Sequence, residues 1–156
     1  MIVGTEWLIE AAGCDAGALR DEAVIRAIFS NVIADIGLRV VGSVWHKFPG
    51  EGGVTGLVAL TESHLACHTY PEHGTATFNL YCCRTRPEWN WDGNLKSAIG
   101  ASNVIVTKIE RGEKKSEISN LKSQIISNFD NAPKSELSSF KSEISNLKFE
   151  IVGGEA

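Results

Sequence analysis

The chain has 156 residues, 43% of them hydrophobic and 22% charged, the make-up of a single globular domain large enough to bury its own core. A net charge of -4 provides no basic face, so neither nucleic acid nor an anionic membrane surface is an expected partner. No window approaches the ~18 apolar residues that span a bilayer, and no basic segment followed by an apolar run marks the N-terminus.

Residues 6–10 alternate only weakly between polar and apolar types and suit a first strand. Over residues 21–36 the apolar side chains Val24, Ile25, Ile28, Val32 and Ile36 recur at helical spacing, and Gly37 follows as the stop. Residues 38–48, rich in β-branched and aromatic types, read as a strand, and the glycine-rich residues 49–53 as a turn or loop. Residues 54–60 and 75–83 are further strands, with residues 65–70 extended between them. Asp92 is placed to cap a helix running to about Ala101, and residues 103–110 supply a last strand. Mostly consecutive strands with a few helices predict an α/β fold: a two-layer α/β sandwich, a mostly antiparallel sheet with helices on one face.

Composition changes after Gly112. The string of residues 115–122 returns unaltered at 141–148, and Leu137, Phe140, Ile144, Leu147 and Ile151 follow a heptad spacing. Two heptads are too few for a coiled coil that stands alone. The expected organisation is a domain over residues 1–112 and a low-complexity, heptad-like tail over residues 113–156 that folds only against something else.

Of the four cysteines, Cys14, Cys67, Cys82 and Cys83, two are adjacent and cannot readily bridge each other. A secreted disulfide framework is therefore not expected, and the cytoplasm is the default compartment.

The chemistry concentrates in Thr61-Glu62-Ser63-His64-Leu65-Ala66-Cys67-His68-Thr69-Tyr70-Pro71-Glu72, which follows directly on an apolar strand. A serine hydroxyl held against the carbonyl before it can attack that carbonyl and turn the amide into an ester. Loss of the serine α-proton then expels the carboxylate of Glu62, leaving a dehydroalanine that hydrolyses to a pyruvoyl group. Such a reaction needs a strained peptide, a base and a polarised carbonyl.

Gly53-Val54-Thr55-Gly56, Glu62-Ser63-His64, His68-Thr69-Tyr70-Pro71-Glu72 and Cys83 together resemble the short prokaryotic S-adenosylmethionine decarboxylases, over roughly residues 1–112. These are proenzymes that cut themselves at a Glu-Ser bond, and the resemblance implies cleavage between Glu62 and Ser63. It makes the pyruvoyl group generated from Ser63 the cofactor, His68 the processing base, Thr55 its assistant and Cys83 the proton donor to the product. It also implies an α/β sandwich, a role in spermidine biosynthesis, a Schiff base between substrate and pyruvoyl group, and a homodimer with residues of both subunits at each site. Phe48, Tyr70 and Glu72 become candidate contacts to S-adenosylmethionine, the aromatic rings for adenine and sulfonium, the carboxylate for the ribose hydroxyls. Tyr70 stands where the family usually has tryptophan, and Asn79 where it usually has aspartate.

Those two departures keep a second substrate class open, a basic amino acid such as ornithine or arginine. A zinc or redox site from His64, His68, His73, Cys67, Cys82 and Cys83 is the reading from another class, but no CxxC pair supports it and no metal is expected. A paralogue that does not cleave and only regulates a true decarboxylase is the third. Cys82 is expected to face the core, opposite to Cys83. His64 and His73 receive no role and are expected to face solvent or to be hydrogen-bonded.

Overall fold

The computed structural model describes residues 1–112. Its first strand, β1 (Ile2–Ala12), turns Trp7, Ile9 and Ala11 inward and leaves Glu6, Leu8 and Glu10 on the other side. Asp15 then caps a short helix, α1 (Ala16–Arg20), and Asp21 caps α2 (Glu22–Asp35), each carboxylate accepting a backbone N–H of the first turn. Ile25, Ile28, Phe29 and Val32 form the buried stripe of α2, which ends before Gly37 at φ +67°.

Four strands follow: β2 (Val40–Lys47), β3 (Val54–Leu60), β4 (Ser63–Tyr70) and β5 (Thr75–Cys82). A single 3-10 turn, Pro71–His73, links the last two. Helix α3 (Trp91–Ile99) and strand β6 (Asn103–Gly112) complete the domain. The strands form one sheet in the order β2-β3-β4-β5-β1-β6, and every neighbouring pair is antiparallel.

The inward residues of the strands and the buried stripes of the three helices make one core. Helices therefore cover one face, as the sequence pattern predicts, and among the described residues no element packs on the other face of the sheet. Within the described residues no helix is long and apolar enough to cross a membrane.

Two features hold β3 against β4. Thr69, buried, accepts the Val54 N–H at 2.8 Å and donates to the Leu19 carbonyl at 2.8 Å, tying both strands to α1. Gly53 lies so close to this residue that a Cβ there would sit 2.0 Å from the Thr69 carbonyl oxygen, so no other residue fits.

Several boundaries differ from the sequence expectation. β1 and β6 run further than predicted, because their ends pair with each other along the sheet, a long-range contact with no local signature. β4 begins at Ser63 rather than Leu65, and β5 ends at Cys82 rather than Cys83. Asn90, not Asp92, caps α3, accepting the Gly93 N–H, while Asp92 lies inside the first turn and pairs with Lys96. Helix α1 was not expected: five residues with one buried side chain, Leu19, carry no readable period. The expected heptad tail lies outside the described residues.

Candidate active site

Glu62 and Ser63 occupy the tight connection between β3 and β4, where a backbone of unusual shape is required. Ser63 has φ +147°, and among the described residues it is the non-glycine residue with positive φ. Backbone strain of this kind costs about 1–3 kcal/mol and persists only where surroundings impose it.

The surroundings are visible. The Glu62 side chain is buried and held by Arg86, whose Nε donates to Oε2 at 2.7 Å and whose Nη2 donates to Oε1. Arg86 also reaches the Ile36 carbonyl at the end of α2, at 3.3 Å. The Arg86 hydrogen bond holds the Glu62 carboxyl below the usual carboxylate range, burial opposing it more weakly. The Glu62 carbonyl oxygen accepts the Cys83 N–H at 3.0 Å, so the carbonyl preceding Ser63 is already polarised.

On the open face a line of polar groups begins at Ser63. Its Oγ lies 3.1 Å from His64 Nδ1, and His64 Nε2 lies 2.9 Å from Asn79 Oδ1. Asn79 Nδ2 donates to Glu6 Oε1 at 2.7 Å, and Arg111 pairs with the other oxygen of Glu6. These residues come from β4, β5, β1 and β6 and meet only because the register sets them on one face.

A second cluster lies further along the same face. Thr55 Oγ1 is 2.6 Å from His68 Nδ1, across the β3–β4 register pair. The His68 ring packs 4.4 Å from Tyr70 and 5.6 Å from Phe48, centroid to centroid, and both aromatics are partly open to solvent. Glu72 follows on the exposed 3-10 turn beyond β4.

The structure thus joins Glu62, Ser63 and Cys83 at one end of β4, and Thr55, His68, Tyr70 and Phe48 at the other. It does not join the two groups within one chain. Five residues of strand at ~3.3 Å each separate Ser63 from His68 by roughly 16 Å. Between them the open face is concave, a space of about 420 Å³ lined by Leu8, Glu10, Ala66, His68, Thr77 and Asn79 among others.

Cys82 and Cys83 divide as strand alternation predicts. Cys82 is fully buried, and burial pushes its thiol up to about 11, so it stays protonated and inert at neutral pH. Cys83 is exposed just past the end of β5. His64, given no role from sequence, lies within hydrogen-bonding distance of the Ser63 hydroxyl. Its shared parity with Asn79 and Glu6 was legible, but the register joining them was not. Arg86 sits in an irregular segment with no periodicity to signal it.

Residues 5–112 match the family described as S-adenosylmethionine decarboxylase. The S-adenosylmethionine decarboxylase proenzyme 2 of Halalkalibacterium halodurans is 30% identical over 125 residues, 80% of this chain and 98% of that protein. The S-adenosylmethionine decarboxylase proenzyme of Prochlorococcus marinus is 34% identical over 112 residues, 70% of this chain and 88% of its own. The crystal structure of the adenosylmethionine decarboxylase from Aquifex aeolicus superposes with a TM-score of 0.60 at 26% identity, covering 74% of this chain and 96% of that one. A match across the whole described domain, by sequence and by fold, has one meaning: the chain belongs to the S-adenosylmethionine decarboxylase family.

Proposed function

We propose that the protein is a self-cleaving, pyruvoyl-dependent decarboxylase that converts S-adenosylmethionine to the aminopropyl donor of spermidine synthesis. The Glu62–Ser63 junction carries this reading. Strain at Ser63, a hydroxyl beside a base, and a carbonyl polarised by the Cys83 N–H are the three requirements of the ester-forming attack, and all three occur there. The junction therefore fits the group it is proposed to generate.

Arg86 keeps the Glu62 side chain anchored, so the leaving carboxylate departs from a fixed position. A pyruvoyl group at position 63 supplies an electron sink for the bond broken as carbon dioxide leaves. Cys83, exposed and attached through its own N–H to the Glu62 carbonyl, then delivers a proton to the α-carbon of the product. Phe48 and Tyr70 offer aromatic faces to the adenine and the sulfonium, and Glu72 accepts from the ribose hydroxyls.

The separation of Ser63 from His68 supports a homodimer. The open face exposes Leu57 and Leu8 at 46% and 38%, with Val44, Ile105 and Ile109 beside them, a surface that calls for cover. A two-fold axis crossing β4 near Ala66 reverses the partner's strand above this one. That operation sets one subunit's His68 over the other's Ser63, at the ~10 Å spacing of stacked sheets. In the tautomer that donates Nδ1–H to the Thr55 hydroxyl, His68 Nε2 takes the Ser63 α-proton across the interface. Cytoplasmic location and a division into a catalytic domain over residues 1–112 and a tail over residues 113–156 belong to the same reading.

Release of carbon dioxide from S-adenosylmethionine, but not from ornithine or arginine, is the expected result of a substrate assay on the cleaved protein. Release from a basic amino acid alone would overturn the choice of substrate.

Cys83→Ala should still cleave, while its decarboxylation rate falls by about 100-fold or more, the scale of a lost general acid. Cys82→Ala removes a core thiol, lowering stability by about 1 kcal/mol with turnover retained. Melting and turnover measured on both variants check this assignment, and reversed behaviour would exchange the two cysteines.

A further inference from the structure

For a neutral His64 ring, the line from Ser63 to Arg111 admits a single assignment of protons. Arg111 is a permanent cation, and the hydrogen bond from Asn79, with Arg111 beside it, holds the Glu6 carboxyl below its usual range. Glu6 is therefore an acceptor, and the group Asn79 turns toward it must be the NH₂. The amide oxygen of Asn79 then faces His64 Nε2, which must carry a hydrogen to donate. In the neutral ring Nδ1 is consequently bare, and it lies 3.1 Å from the Ser63 hydroxyl.

We propose that His64 is the catalytic base for the first step of self-cleavage, and that Asn79 is the positioning residue that holds it in the base-competent tautomer. This inference rests on the self-cleaving function proposed above and assigns the proton transfer that begins it. As Ser63 Oγ bonds to the Glu62 carbonyl carbon, its proton passes to His64 Nδ1. When the C–N bond of the tetrahedral adduct breaks, His64 returns that proton to the departing Ser63 nitrogen. An ester and a free amine result, with no net gain or loss of protons. His68 of the partner subunit acts afterwards, on the α-proton, so the two histidines serve different steps.

The charges facing His64 suit a proton that must be taken and given back. From β1 comes Glu6, neutralised by Arg111 of β6, and from β5 come the Tyr81 ring, 6.0 Å away, and Asn79. Ala59, its register partner on β3, is uncharged, and the Glu62 side chain is held by Arg86. The amide oxygen of Asn79 orients the ring by accepting from its Nε2–H.

Four variants test this, each purified and followed for conversion of the full-length chain to two fragments, with Ser63→Ala as the uncut reference. His64→Gly and His64→Gln should cleave about 100-fold more slowly than the parent chain. Added imidazole should accelerate His64→Gly at least about tenfold, with a rate that follows the free-base fraction of the buffer as pH rises. Hydroxylamine, which cuts esters and spares amides, should leave uncut His64→Gly intact and cut uncut His68→Ala. Asn79→Leu should slow cleavage by about tenfold, because the ring is then free to adopt the other tautomer.

Parent-like cleavage by His64→Gln would overturn the proposal. So would a folded His64→Gly that ignores imidazole, or one that hydroxylamine cuts, since its block would then follow ester formation. Failure of the underlying reading looks different: the parent chain would itself remain uncut.

Discussion

Replacing Ser63 with alanine is expected to yield one uncut chain with no measurable decarboxylase activity. The hydroxyl is the attacking group and the residue itself becomes the cofactor, so both the ester and its product are lost together. Alanine keeps a Cβ, and with it the strain of φ +147°, about 1–3 kcal/mol. Glycine adopts that conformation freely. Ser63→Gly should therefore also remain uncut yet melt higher than Ser63→Ala, a comparison that separates strain from chemistry. Gel electrophoresis, carbon dioxide release and thermal melting check these outcomes. Cleavage persisting in Ser63→Ala would place the nucleophile elsewhere.

Two inactive variants are expected to recover activity when made in the same cell. Ser63→Ala lacks the reacting residue, and His68→Ala lacks the base, which the ~16 Å between the two positions assigns to the other subunit. In a mixed dimer, the intact His68 of the first variant serves the intact Ser63 of the second, while the other site carries both defects. Random pairing makes half the dimers mixed, each with one working site, so about a quarter of the parent activity should return. A site contained within one subunit would give none. The recovery should disappear if both substitutions are placed in a single chain and paired with itself.

Much of the fold was legible because burial here follows simple periods. The bounds of β3, residues 54–60, and the extent of α2 within a residue are direct consequences of alternation and of helical spacing. Helix α1 and the Asn90 cap were not, since a five-residue helix has no period and Asn90 and Asp92 are both competent caps. In the site, the Glu62-Ser63 string and the opposite facing of Cys82 and Cys83 could be read locally. The ties from His64 to Asn79 and on to Glu6 could not, because they depend on which residues of β4, β5 and β1 stand opposite one another. Arg86, reaching Glu62 from an irregular segment, is of the same kind.

The central claim is that this chain cuts itself at one bond, and intact-mass spectrometry of the purified protein tests it most directly. The expected spectrum holds two chains: one ends at Glu62, and the other begins at residue 63 with its terminal amine replaced by a ketone. A single full-length mass in a preparation that decarboxylates S-adenosylmethionine would contradict the account.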